Sequence, residues 1–252
     1  MSMKEQIDHL AALLRESENT VFFGGAGVST ESGIPDFRSE SGLYKARQVY
    51  GYPPEQLLSH TFFERHTELF FRYYRENLIA RDAQPNAAHM ALARLEQTGK
   101  LRAVITQNID GLHQAAGSKN VLELHGSNWR HYCMACDARY DLDFVLSQGG
   151  VPKCVCGGVV RPDVVLYEEG LDNAVFSAAV EAIEAAQLLI VGGTSLAVYP
   201  AAGLLRYFSG PNLVLINKSE TPYDRAAQLV IHDSIGAVLG AAVGQFTPSP
   251  AT

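Results

Sequence analysis

The chain is poor in positive charge: 20 Lys and Arg stand against 27 Asp and Glu in 252 residues, a net charge of −7. That balance argues against a general nucleic-acid binder, which needs a basic face to follow phosphates. Basic peptides remain compatible partners. No apolar run reaches the ~18 residues of a membrane span. The N-terminus also lacks a signal-peptide core, because Ile7, Leu10, Ala11 and Leu14 recur at helical spacing with charges between them. A cytoplasmic location without membrane contact is the expectation. Cysteine is scarce too. The four in the chain all fall between Cys133 and Cys156, and the expected cytoplasmic compartment disfavours pairing them as two disulfides.

What is present is ordinary for a soluble globular chain, with 47% hydrophobic and 19% charged residues. The length suits one large domain, or one with a smaller insert. Ser2 and Glu5 have capping-box spacing ahead of a first helix. Short apolar runs then recur: Val21–Phe23, Ala103–Thr106, Val121–Leu124, Val164–Tyr167, Leu188–Val191, Leu213–Ile216 and Leu229–Ile231. Several lack polar alternation, as strands buried on both faces do. Helical patterns fill the gaps at Asn86–Gln97, Leu171–Ala186, Pro200–Phe208 and Ser234–Val243. The pattern predicts an α/β fold, a Rossmann-like parallel sheet with helices on both faces. Two stretches break the rhythm, a helical one rich in Phe and Tyr (39–84) and one holding the cysteines (129–159). Together they predict a small second domain, with the large one built from residues 1–38, 85–128 and 160–246. Residues 247–252 read as a tail.

Four motifs carry chemistry. Gly24-Gly-Ala-Gly27 follows the first apolar run, and Asp36-Phe-Arg38 closes the same loop. Glycines after a strand let backbone N–H groups approach a pyrophosphate. The dehydrogenase spacing is absent, with the next glycine at Gly33, so hydride transfer is disfavoured. Thr106-Gln-Asn-Ile-Asp110 ends a strand with groups that bind ribose hydroxyls or orient water, or that cap a helix through Asp110. His125 stands just past another strand and before Gly126. An imidazole titrates near neutrality, which suits a general base there. The pairs Cys133/Cys136 and Cys154/Cys156 fit a four-thiolate zinc site, with His131 a nearby alternative ligand. Four protein ligands leave no open position, so such a zinc is structural. Gly193-Thr-Ser195 and Asn217-Lys218 end two further strands and offer more polar contacts.

In these segments, in their order, and in Arg161-Pro-Asp-Val-Val165, the chain resembles the sirtuins, NAD-dependent protein lysine deacylases. The resemblance extends from about residue 5 to 240. It implies NAD as cofactor, one structural Zn(2+), and acetylated lysine in proteins or peptides as the partner of a monomer or weak oligomer. Gly25, Ala26, Gly27, Thr30, Asp36, Phe37 and Arg38 would line the dinucleotide site. Gln107 and Asn108 would contact the nicotinamide ribose, while Ile109 and Asp110 would bind the carboxamide. Gly193, Thr194, Ser195, Asn217, Lys218 and Ile235 would hold the adenosine half. Val165, Tyr167 and Val198 would flank the acyl-lysine, and a strand around Glu168–Glu169 would pair with the peptide backbone.

The implied reaction has the acyl oxygen displace nicotinamide from NAD. His125 then acts as general base, with Asn108 and Asp110 as its catalytic companions. Free lysine, nicotinamide and O-acetyl-ADP-ribose result. ADP-ribosyl transfer, NAD hydrolysis and an idle NAD sensor are the competing readings. Glu168 stands where the family carries Gly, which suggests a preference for basic residues beside the lysine. The Tyr-x-x-Arg of the desuccinylase branch is missing from Glu68–Glu76, and the spacing recurs only at Tyr44/Arg47, which lies too early. An uncharged acyl group is therefore expected.

Overall fold

The computed structural model describes residues 1–36 and 40–245. In chain order the strands are β1 (Thr20–Gly24), β2 (Leu101–Thr106), β3 (Val121–Glu123), β4 (Gly126–Cys133), β5 (Arg139–Asp141), β6 (Val160–Val164), β7 (Leu188–Gly192), β8 (Asn212–Ile216) and β9 (Leu229–Ile231). Six form one parallel sheet in the order β3-β2-β1-β7-β8-β9. The other three form an antiparallel sheet, β5-β4-β6.

The central parallel strands β1, β7 and β8 are mostly apolar and buried because both faces of the sheet are covered. Phe22 points into a core with Leu10, Leu14, Leu92 and Leu239. Val21 and Phe23 point the other way, toward Ile183, Leu189 and Leu204. Helices Met3–Glu16, Ala87–Gln97 and Ile235–Gly244 cover the first face. Helix Asn173–Glu184 and the 3-10 segment Ala201–Tyr207 cover the second. Their starts are set by side-chain caps, since the first amides of a helix lack partners. Ser2 and Glu5 form the expected capping box, and Asn86, Asp172 and Ser234 cap the later helices.

One strand expectation is corrected. Val164–Tyr167 does not join the parallel sheet. The chain there leaves β6, which pairs with β4, and Tyr167 makes an isolated parallel bridge to Ser59. Nor is there a strand at Glu168–Glu169; Glu168 has φ +77°, which turns the chain.

A third core unites the two irregular stretches. Phe62, Phe63, Phe70, Phe71, Tyr73 and Tyr74 pack with Cys133, Val145, Cys154 and Val160. Phe70 and Phe71 meet edge to face at 5.4 Å. Burying each such ring contributes about 1.5–3 kcal/mol. The aromatic helices and the cysteine-bearing sheet thus share one hydrophobic interior.

The sheet's register places the site. Gly24 is level with Thr106 on one side and with Gly192 on the other, and Gly192 is level with Ile216. Four strands therefore end on one line. Strand order reverses between β1 and β7, and ligands of open α/β sheets bind at such a reversal, beyond the carboxyl ends.

Candidate active site and zinc centre

The loop after β1 is packed too tightly for side chains. A Cβ on Gly25 would lie 2.9 Å from Thr194 Cβ, and one on Gly27 would lie 2.7 Å from Gly193 Cα. Gly27 N donates to Gly193 O at 2.8 Å. The glycines bring two strand-end loops into backbone contact. Gly193 itself has φ +61°, a region that favours glycine. Thr30 Oγ1 donates back to Gly27 O at 2.9 Å and closes the turn.

Beyond β2, Asn108 and Asp110 converge on Ser29. The Ser29 hydroxyl donates to Asp110 Oδ2 at 2.6 Å and accepts from Asn108 Nδ2 at 2.9 Å. Asn108 Nδ2 also donates to Gly25 O at 3.1 Å. Asp110 Oδ1 accepts from Leu112 N at 2.9 Å, the first amide of a short helix whose N-cap is Gly111, while its other oxygen faces the network. Trp129 Nε1 donates to Asp110 O at 2.7 Å from the far side. Ser29 is 1% exposed. Its role was not legible by residue type, although it sits within the Gly-rich motif.

His125 follows β3. Its Nδ1 lies 2.9 Å from Gln107 O, and its own carbonyl accepts from Val165 N at 3.0 Å. A carbonyl only accepts, so Nδ1 carries the hydrogen and Nε2 of the neutral ring keeps a lone pair. Gln107 is fixed in turn, through N–H to Gly24 O at 2.9 Å and through Nε2 to Thr194 Oγ1 at 3.0 Å.

These groups line a cavity of about 260 Å³ between the sheet edge and the aromatic insert. Of the expected site residues, Ala26, Asp36, Gln107, Asn108, Ile109, Asp110, His125, Val165, Tyr167 and Val198 border it. Pro54, Leu58, Leu78, Leu166 and Leu171 complete an apolar wall. Among the described residues lining it, none is Lys or Arg. Phe37 and Arg38 lie outside the described residues.

Gly25, Gly27, Thr30, Gly193, Thr194, Ser195, Asn217, Lys218 and Ile235 do not border this cavity. They stand along the ends of β1, β7 and β8 and the start of helix Ile235–Gly244. Asn217 Oδ1 accepts from Thr194 N at 2.9 Å, while its buried Nδ2 has no protein partner among the described residues. Such an orphan donor fits a polar ligand lying along this edge. Ile235 is buried, and a Cβ on Gly192 would lie 2.2 Å from its Cδ1, so it backs the glycine turn.

At the tip of the antiparallel sheet, the thiols of Cys133, Cys136, Cys154 and Cys156 lie within 4.8 Å of one another, and none is in a disulfide. Sulfur separations of 3.5, 3.5 and 3.6 Å are close to the ~3.8 Å of a tetrahedron with ~2.3 Å zinc–sulfur bonds. Tyr140 OH donates to Cys154 Sγ at 2.9 Å, the outer support that such ligands need. The donor set fits zinc with no open position. His131 is not a fifth candidate: its Nε2 lies 3.0 Å from Tyr74 OH, and burial pushes its imidazole down to about 4.

The Sir2 family model matches residues 25–200. The chain belongs to the Sir2 family. A protein of Clostridium acetobutylicum named NAD-dependent protein deacetylase is 62% identical over 241 residues, 95% of this chain and 98% of its own length. One of the same name from Cutibacterium acnes is 56% identical over 93% of this chain and 96% of its own. Among solved Sir2 structures, one with a p53 peptide and NAD+ superposes with TM-score 0.81 at 41% identity, over 95% of this chain and 96% of that one. Another, bound to acetylated peptide, gives TM-score 0.82 at 39% identity with the same coverage. This Sir2 chain therefore has the parallel-sheet fold and cysteine cluster that its sequence implied.

Proposed function

We propose that this chain is an NAD-dependent protein lysine deacetylase acting on acetylated lysine in proteins or peptides. The observation that carries the reading is the convergence of His125, Asn108, Asp110 and Ser29 on one cavity, with His125 Nδ1 placed against Gln107 O so that the lone pair of the neutral ring lies on Nε2. Bound NAD supplies a ribose carbon bearing a cationic nicotinamide leaving group. The chain's own part is to position, dehydrate and move one proton. Asn108 and Asp110, locked by Ser29, orient the nicotinamide ribose and carboxamide. The Asn217–Thr194 edge holds the adenosine half. Val165, Tyr167 and Val198 exclude water from the acyl-lysine. His125 Nε2 accepts the proton of a ribose hydroxyl, a role worth ~10²–10⁴-fold in rate.

Zinc, held by Cys133, Cys136, Cys154 and Cys156, supplies structural cross-linking. We take residues 39–84 and 129–159 as the small domain, and the cleft beneath it as the reaction site. The apolar wall and the positions of the arginines favour an uncharged acyl group. Arg72 pairs with Glu76, and Arg75 donates to the carbonyls of Val145 and Gln148. Arg47 does not border the cavity.

Mass spectrometry of a reaction with NAD and an acetyl-lysine peptide tests the proposal. Nicotinamide, deacetylated peptide and O-acetyl-ADP-ribose are expected. ADP-ribosylated protein or free ADP-ribose without deacetylation would overturn it.

A further inference from the structure

The rim of the acyl-lysine end is tied to the aromatic insert by an array of bonds. Tyr167 N donates to Leu58 O and His60 N donates to Tyr167 O, each at 3.0 Å. Beside this bridge, Glu169 accepts from Arg161 at 2.7 and 3.0 Å and from Leu166 N at 2.8 Å, and lies 2.8 Å from His60 Nδ1. Burial works against the Glu169 charge, yet Arg161, Leu166 and His60 hold its carboxyl below the usual range.

Between Tyr167 and Glu169, Glu168 takes φ +77°. That conformation is unfavourable for a residue with a Cβ, and it persists only where surrounding contacts enforce it. Its side chain, exposed at the cavity edge, is held at one oxygen. Glu168 Oε2 accepts from Thr61 N at 2.9 Å, and the amide and hydroxyl of Thr61 hold the carboxyl below its usual range. The side chain thus reaches from a strained turn across to the insert.

We infer that Glu168 is a positioning residue for the acyl-lysine peptide, its carboxylate latching the tunnel rim at Tyr167 to the insert at Thr61. The inference rests on the deacetylase reading for its substrate. It adds to the sequence-based expectation that Glu168 favours basic neighbours, because the Thr61 amide holds one carboxylate oxygen toward the insert. The latch acts on peptide affinity and leaves the dinucleotide side untouched.

Two variants test it. Glu168→Ala removes the acceptor, whereas Glu168→Gln keeps an oxygen for Thr61 N. Glu168→Ala should raise the peptide KM about threefold to tenfold, the effect of one lost hydrogen bond, with a smaller change in kcat and an unchanged NAD Kd. Glu168→Gln should stay within about twofold of the parent. Hydrogen exchange of the Tyr167 and His60 amides should quicken in the Ala variant only. An unchanged KM and unchanged exchange in Glu168→Ala would overturn the latch. So would a Gln variant that fails like Ala, with losses that follow the charge of peptide residues beside the lysine. If the parent protein does not deacetylate the peptide, the deacetylase reading fails instead. The exchange comparison then decides the latch alone: protection lost in Ala and kept in Gln supports it, and unchanged protection refutes it.

Discussion

The Ser29 hydroxyl donates to Asp110 Oδ2 at 2.6 Å, and this bond fixes a carboxylate that lines the cavity. Because Ser29 also accepts from Asn108, one hydroxyl sets the geometry of two proposed substrate-binding side chains. Losing a buried hydrogen bond to a charged group costs about 1.5–3 kcal/mol. Ser29→Ala should therefore lower kcat/KM for NAD roughly 10- to 100-fold, with the far-ultraviolet spectrum unchanged. Steady-state kinetics at saturating peptide check this. A change below about twofold would show that the network is incidental.

The zinc centre should govern activity from a distance. Its first ligand, Cys133, ends β4, the strand that begins directly after His125, and β6 of the same sheet ends at Val164, directly before Val165. Metal analysis should find one zinc per chain, released on chelation with loss of the small sheet and of deacetylation together. Structural zinc sites commonly supply folding free energy outright. Full activity in metal-free protein would contradict this.

Acid should weaken the fold through His113. The ring is 1% exposed, 4.7 Å from His89, and burial pushes it down to about 3. The unfolded chain protonates this residue near 6.5. Stability is therefore unaffected above that value and falls as pH drops toward 3, by up to about 1.4 kcal/mol per unit. His113→Leu should lose about 2 kcal/mol less than the parent between pH 7 and pH 5, read from urea midpoints. Equal losses would place the acid sensitivity elsewhere.

The acyl end should discriminate by charge. With no Lys or Arg among its described lining residues, a succinyl carboxylate would be desolvated without a partner. Acetyl-peptide turnover should exceed succinyl-peptide turnover by at least about 10-fold. Comparable rates would mean that a cation reaches the tunnel.

Much of this was legible in the sequence. The six parallel strands appear within a residue or two of their expected bounds, because strands buried on both faces leave continuous apolar runs. Helix starts were legible through Asn86 and Ser234, whose side chains cap as their type suggests. Local pattern failed where partners are distant. Val164–Tyr167 begins with two β-branched valines and is largely apolar whichever sheet it joins, and only the pairing of β6 with β4 settles the matter. β4 and β5 went unread because Arg130, His131 and Arg139 interrupt the apolar alternation. Ser29 and Thr61 act through contacts with residues far along the chain, which no local spacing encodes.

The most direct test of the central claim compares the parent protein with His125→Ala for O-acetyl-ADP-ribose formation, alongside NAD affinity by calorimetry. Product formation should fall by ~10²–10⁴-fold or below detection, while NAD still binds and the melting temperature holds. A His125→Ala protein that deacetylates at the parent's rate would contradict the assignment of Nε2 as the base.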